Sequence, residues 1–199
     1  MDSTETQFVG FPKMPRLHRE IIITEKIDGT NAQIYISTKP EDDTGCAARV
    51  LVGTELLSLR AGSRNRWITP NDDNFGFAGW VADNAHELAQ LGPGRHFGEW
   101  WGKGIQRGYG LSEKRFSLFN VTRWSTPPAC CHVVPTLYTG GFSLDEVENV
   151  VAHLRRNGSE AAPGFMKPEG VVVFHTAANM TFKQTLEDDD VPKSKGGKQ

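Results

Sequence analysis

The apolar residues of this chain come in short runs, of which residues 21–23 and 171–174 are among the longest, and 21 glycines and 11 prolines interrupt the rest. None approaches the length of a membrane span. Short apolar runs closed by turn residues are what strands require. Residues 20–24 and 31–37 read as strands, the second alternating Ala32, Ile34 and Ile36 against Gln33 and Tyr35. The segment Glu25-Lys26-Ile27-Asp28-Gly29-Thr30 between them reads as a turn built on Asp-Gly. Residues 49–52 and 56–60 predict two more strands, and 96–101 and 115–122 flank a glycine-rich loop, 102–110. Residues 170–174 and 180–185 complete the set.

Two segments carry a helical period instead. Residues 74–91 place Phe77, Trp80, Val81, Ala85 and Leu88 on one stripe and end at Gly92-Pro93. Residues 143–157 open on a Ser143/Glu146 capping box, carry Leu144, Val147, Val151 and Leu154 as a stripe, and stop at Gly158. Strands outnumber helices and several neighbours are hairpin-like. The expected class is α+β, with antiparallel sheets flanked by helices.

With 199 residues the chain suits one domain over 1–187 and a charged tail over 188–199. Phe8, Phe11, Met14 and Leu17 predict some packing before it, while Pro12 and Pro15 argue against a helix there. The start, Met1-Asp2-Ser3-Thr4-Glu5, does not read as a secretory signal, and three cysteines make no closed disulfide framework, so a reducing cytoplasm is expected. The net charge of −2 hides a division. Residues 49–66 hold four arginines against Glu55, and residues 95–115 hold five basic side chains against Glu99 and Glu113. Basic clusters of this kind attract phosphates even on an acidic chain.

The usual motifs are absent. Gly92-Pro93-Gly94 and Gly102-Lys103-Gly104 lack the spacing of phosphate loops. His86-Glu87 is followed by Gln90 where a zinc site needs a second histidine, and Cys130-Cys131-His132 has no second ligand pair. Lys26 is different in kind: an amine on a turn between apolar strands is held on a rigid support, as a nucleophile must be. Alone, Lys-x-Asp-Gly also describes an ordinary hairpin.

Lys26-Ile27-Asp28-Gly29-Thr30-Asn31 resembles the nucleophile motif of covalent nucleotidyltransferases, the ATP-dependent DNA and RNA ligases and the messenger-RNA capping enzymes. Phe97-Gly98-Glu99-Trp100 resembles that superfamily's third motif, and Phe116 to Val121 its aromatic strand. Glu169-Gly170-Val171-Val172-Val173 resembles the fourth motif and Phe182-Lys183 the fifth. Gly102-Lys103-Gly104-Ile105-Gln106-Arg107 and Ser63-Arg64-Asn65-Arg66 narrow the likeness to RNA ligases that seal nicks in duplex RNA, including the editing ligases.

That resemblance implies an ATP-grasp-like nucleotidyltransferase fold and residues 1–187 as an adenylyltransferase domain. Lys26 would take AMP from ATP as a lysyl-AMP, pass it to a 5′-phosphate end, and an RNA 3′-hydroxyl would displace it. Lys183 would contact the α-phosphate, Glu99 the ribose hydroxyls, and Arg64 phosphate or ribose. Phe119 would stack on adenine, Glu25, Ile27 and Asn31 would frame the nucleotide, and Glu169 would organise Mg2+ or Mn2+. Two departures stand out: Thr181-Phe182-Lys183 carries one lysine where two are usual, and Asn120 follows Phe119 where aspartate is commoner. The chain also stops soon after the fifth motif, so a protein partner is expected to replace a missing carboxy-terminal clamp on a nicked duplex or paired ends. The alternatives are a guanylyltransferase or DNA ligase using the same lysine, and a degenerate nucleotide- or RNA-binding module.

Overall fold

The computed structural model describes residues 8–38 and 45–187. The expected tail at 188–199 and most of the polar loop at 39–45 lie outside them. Two sheets carry the fold. The first has four antiparallel strands in the order β11-β10-β1-β9: β1 (Glu20–Lys26), β9 (Thr136–Gly141), β10 (Gly170–His175) and β11 (Met180–Thr185). The second runs β3-β4-β2-β6-β7-β8, through β2 (Thr30–Ser37), β3 (Ala48–Val52), β4 (Glu55–Ser63), β6 (Gly94–Gly102), β7 (Lys114–Leu118) and β8 (His132–Val133). The short β5 (Trp67–Ile68) joins it on β4. The pairings are antiparallel except β7 with β8, which is parallel.

The Asp-Gly turn is not a hairpin. β1 and β2 belong to different sheets, so residues 27–29 carry the chain from one to the other. Packing enforces this: a Cβ on Gly29 would stand 2.5 Å from the Trp100 carbonyl oxygen and 2.7 Å from Trp101 Cβ. The turn is laid against β6 rather than folded back on itself.

The second sheet buries one face. Ala32, Ile34, Ile36, Leu59 and Ala61 pack under Phe77, Val81, Ala85 and Leu88. The expected helix over 74–91 is broken into α1 (Phe77–Asp83), α2 (Ala85–Leu88) and a 3-10 turn at Ala89–Leu91. Asn84 causes the break: it leaves helical dihedrals and its Nδ2 donates to the Trp80 carbonyl at 2.8 Å. The first sheet packs on α3 (Leu144–Asn157) through Ile21, Ile23, Val171 and Val173 against Val147, Val150, Val151 and Leu154. Ser143 is its N-cap but makes no side-chain cap bond, so the expected capping box is not formed. Leu144, placed on the stripe from sequence, is exposed, and Val150 takes a place in the buried face. Phe8, Phe11, Met14 and Leu17 are exposed, against the expected packing. With Pro12 and Pro15 barring a helix, they have no regular element on which to share a face.

Candidate active site

The two sheets meet at the carboxy-terminal end of β1, and a cleft of about 870 Å³ opens there. Of the residues singled out from the sequence, Glu25, Lys26, Ile27, Asn31, Arg64, Glu99, Phe119 and Lys183 line it. Glu169 joins them through an ion pair with the Lys26 ammonium. Every one of the nine is therefore at the cleft, although they come from both sheets.

Register explains the convergence. Lys26 pairs with Gly170 across the β1–β10 ladder, which puts Glu169 beside the lysine. Gly170 has to be glycine, because a Cβ there would stand 2.1 Å from the Gln184 carbonyl oxygen of β11. That close approach draws in β11, whose Lys183 pairs with Val172 and faces the cleft. On the other sheet Asn31 pairs with Glu99 across β2 and β6. Gly98 is equally constrained, since a Cβ would meet the Ser117 carbonyl oxygen at 2.5 Å and the Phe116 ring at 2.6 Å. Phe119 lies one residue past the end of β7 and is 39% exposed. The expected strand over 115–122 stops short because Asn120 Oδ1 accepts from Thr122 Oγ1 and from the Arg123 N–H, closing a turn.

Two buried carboxylates, Glu25 and Glu169, and the half-buried Glu99 lie next to Lys26 in sequence or in space, and they differ. Glu25 lines the cleft, yet its carboxylate accepts from Ser159 Oγ at 2.6 Å and from the Glu160 and Ala161 N–H groups at 2.8 and 2.9 Å. Burial raises its pKa, offset in part by those donors. Glu99 accepts from the Gly29 N–H at 3.1 Å. Burial pushes it up to about 7, against the pull of Lys26, the Gly29 N–H and Arg64 and with the repulsion of Glu169. Glu169 Oε2 is buried without a hydrogen-bond partner, and the Lys26 ammonium meets it as an ion pair.

Residues that no sequence pattern assigns a role hold the turn itself. Tyr109 OH accepts the Asp28 N–H at 2.8 Å, and Arg107 bridges Asp28 Oδ2 and the Lys167 carbonyl, both at 3.0 Å. Ile27 packs with Trp101, Tyr109, Val134 and Ala162. No local signal marks Ser159, which reaches Glu25 across 134 residues of chain. Arg66, by contrast, is tied to Asp72 on the surface.

Among the described residues, no group of three or more His, Cys, Asp or Glu side chains converges as a metal cage. Glu169 with Glu99 offers two carboxylates, a donor set that suits a hard divalent cation whose remaining ligands are substrate phosphates and water. The under-bonded Glu169 Oε2 fits such a role.

The sequence matches the RNA ligase family over residues 19–186. This chain belongs to that family. Its fold is also that of solved RNA ligases of Naegleria gruberi. The form with PPi aligns at a TM-score of 0.56 and 18% identity over 84% of this chain and 50% of that one. A variant with ATP and Mn aligns at 0.57 and 18%, over 86% and 51%. A variant in the apo state aligns at 0.54 and 17%, over 84% and 50%. The chain thus spans about half the length of these RNA ligases. No curated protein matches the sequence significantly. No helix among the described residues is long and apolar enough to cross a membrane.

Proposed function

We propose that this chain is an ATP-dependent RNA ligase that joins a 5′-phosphate end to an RNA 3′-hydroxyl through a lysyl-AMP, with residues 1–187 as its adenylyltransferase domain. The observation that carries this reading is the Lys26 amine, ion-paired to a buried and under-bonded Glu169 inside a cleft that also holds Glu99, Phe119 and Lys183. A structural lysine has no need of that company.

In this reading the Lys26 amine attacks the α-phosphorus of ATP in its neutral form. A P–N bond forms, the bond to the bridging oxygen breaks, and pyrophosphate leaves. The 22% exposure of the Lys26 side chain gives its proton a route to solvent. Lys183 faces the α-phosphate from β11, and positive charge there stabilises a transfer whose barrier is set by positioning and electrostatics. Glu99 accepts from the ribose hydroxyls, with Asn31 beside it and Arg64 turned to ribose or phosphate. Half-exposed Phe119 offers its ring to the adenine. Glu25 and Ile27 contribute through strand position, since the Glu25 carboxylate is already occupied. Glu169 would hold Mg2+ or Mn2+, which would neutralise phosphate charge. The AMP then passes to the 5′-phosphate, and the 3′-hydroxyl displaces it as the phosphodiester forms.

The RNA in this reading presents a nick or paired ends. The side chains of Cys46, Cys130 and Cys131 are all thiols, in accord with a reducing cytoplasm. Intact mass after incubation with ATP and Mn2+ tests the first step. An AMP adduct that Lys26→Ala abolishes is the expected result; a GMP adduct from GTP, or none from either nucleotide, defeats it.

A further inference from the structure

The face of the second sheet turned away from α1 and α2 continues outward from the cleft. Odd-numbered positions share it: Asn31, Gln33 and Tyr35 on β2 pair with Glu99, Phe97 and Arg95 on β6. Their even-numbered neighbours Ala32, Ile34 and Ile36 are the ones buried under the helices. On the far side of β2, Gly62 pairs with Gln33 and with Trp67 of β5. A Cβ on Gly62 would stand 2.8 Å from Gln33 Cγ and 3.1 Å from the Trp67 ring, so the glycine lets the indole lie down on the sheet.

What stands there is a ladder of rings and a guanidinium. Arg95 Cζ lies 4.7 Å from the Tyr35 ring centroid and 5.3 Å from that of Trp67, and the two rings are 6.2 Å apart. Gln33 Oε1 accepts from Arg95 Nη1 at 3.0 Å and fixes its plane. Trp67 is 38% exposed and Phe97, one pleat nearer the cleft, 47%. Side chains placed for packing would be covered. These are ordered against each other and left open to solvent.

We infer that this face binds unpaired nucleotides of the RNA next to the joint, stacking bases on Trp67 and Phe97 while Arg95 and Arg64 meet the phosphates. The inference rests on the ligase reading for its substrate and deepens it. Flat rings with a guanidinium beside them accept any base face and suit an opened strand, whereas a paired duplex keeps its base faces covered. From Glu99 to Arg95 the strand advances about 13 Å, the length of about four stacked nucleotides. Continuity with the cleft, which Arg64, Arg95 and Phe97 also line, points the bound strand at Lys26. The substrate class this favours is a paired end flanked by unpaired nucleotides, in place of a fully paired nick.

The test is fluorescence anisotropy with a 5′-labelled, unstructured single-stranded RNA and with a blunt RNA duplex, on the full chain without ATP. Trp67→Leu and Arg95→Gln should each weaken single-strand binding by about ten-fold or more, Trp67→Phe should restore most of it, and duplex binding should barely move. Thermal melting of each variant separates a lost surface from a lost fold. Single-strand affinity unchanged in Trp67→Leu and Arg95→Gln overturns the inference, as does equal loss for the duplex. Failure of the ligase reading shows elsewhere, as a missing AMP adduct on the unaltered protein, and leaves the strand measurement standing.

Discussion

Glu25 and Lys26 are consecutive on β1, so their side chains face opposite sides of the sheet. On one side the Glu25 carboxylate is met by a hydroxyl and two backbone N–H groups from residues 159–161. On the other, Glu169 Oε2 is as deeply buried and has the Lys26 ammonium for company but no hydrogen bond, and Glu99 takes one from the Gly29 N–H. Both sides bury acid; they differ in how far it is satisfied. Satisfied acids are structural, because a buried carboxylate with three donors gains nothing further from a ligand. Under-satisfied ones keep acceptor capacity that the fold does not use, and in the cleft they keep it beside Lys26, the proposed nucleophile.

The sharpest break in that comparison is Lys26→Ala. On the open side it should remove the AMP adduct altogether, a loss on the order of 10³-fold or more in rate read by intact mass. Glu25→Gln, one residue away, should act on the closed side. It turns an acceptor into an amide that presents donors to donors, and should cost about 1–3 kcal/mol in denaturant unfolding while the folded protein still takes up AMP. Adduct loss in Glu25→Gln without loss of stability would merge the two sides and end the distinction. Tyr109→Phe probes the same closed side more gently. It deletes the acceptor of the Asp28 N–H and should cost about 1–2 kcal/mol, again visible in unfolding and not in adduct yield.

Which parts of this were legible in the sequence follows from how local each is. The period-two segments marked most strands, and the Lys26, Glu99 and Glu169 motifs carried the cleft, because each is a short stretch whose neighbours position it. Pairing was not local. Nothing in residues 25–31 says that β1 and β2 part company; that follows from Gly29 resting on β6, some 70 positions on. β9 went unseen because Thr136–Gly141 lacks an alternating apolar face and leans on β1 along one edge. The closed side was invisible for the same reason: Glu25 finds Ser159 across 134 residues. The Ser143/Glu146 pattern was read too generously, since a capping box in sequence still has to be closed in space.

The finest probe of the open side is its response to pH. Glu99 sits at about 7 in the folded chain, raised from 4.5 chiefly by burial. A folded-state pKa above the unfolded one means that the native protein holds a proton which the unfolded chain has already released. The stabilising contribution is therefore complete below about 4.5, declines as pH rises from there, and is gone above about 7. Burial shifts Glu25 in the same direction, so the profile of the unaltered protein mixes both acids. Glu99→Gln separates them, because the amide cannot titrate and Glu25 is left in place. The difference in melting temperature between the two proteins should drift in favour of the variant between pH 4.5 and 7 and then level off. A difference that stays flat across that window would mean that Glu99 is solvated in the cleft like an ordinary surface carboxylate. The open side would then have lost one of the two acids that distinguish it from the closed one.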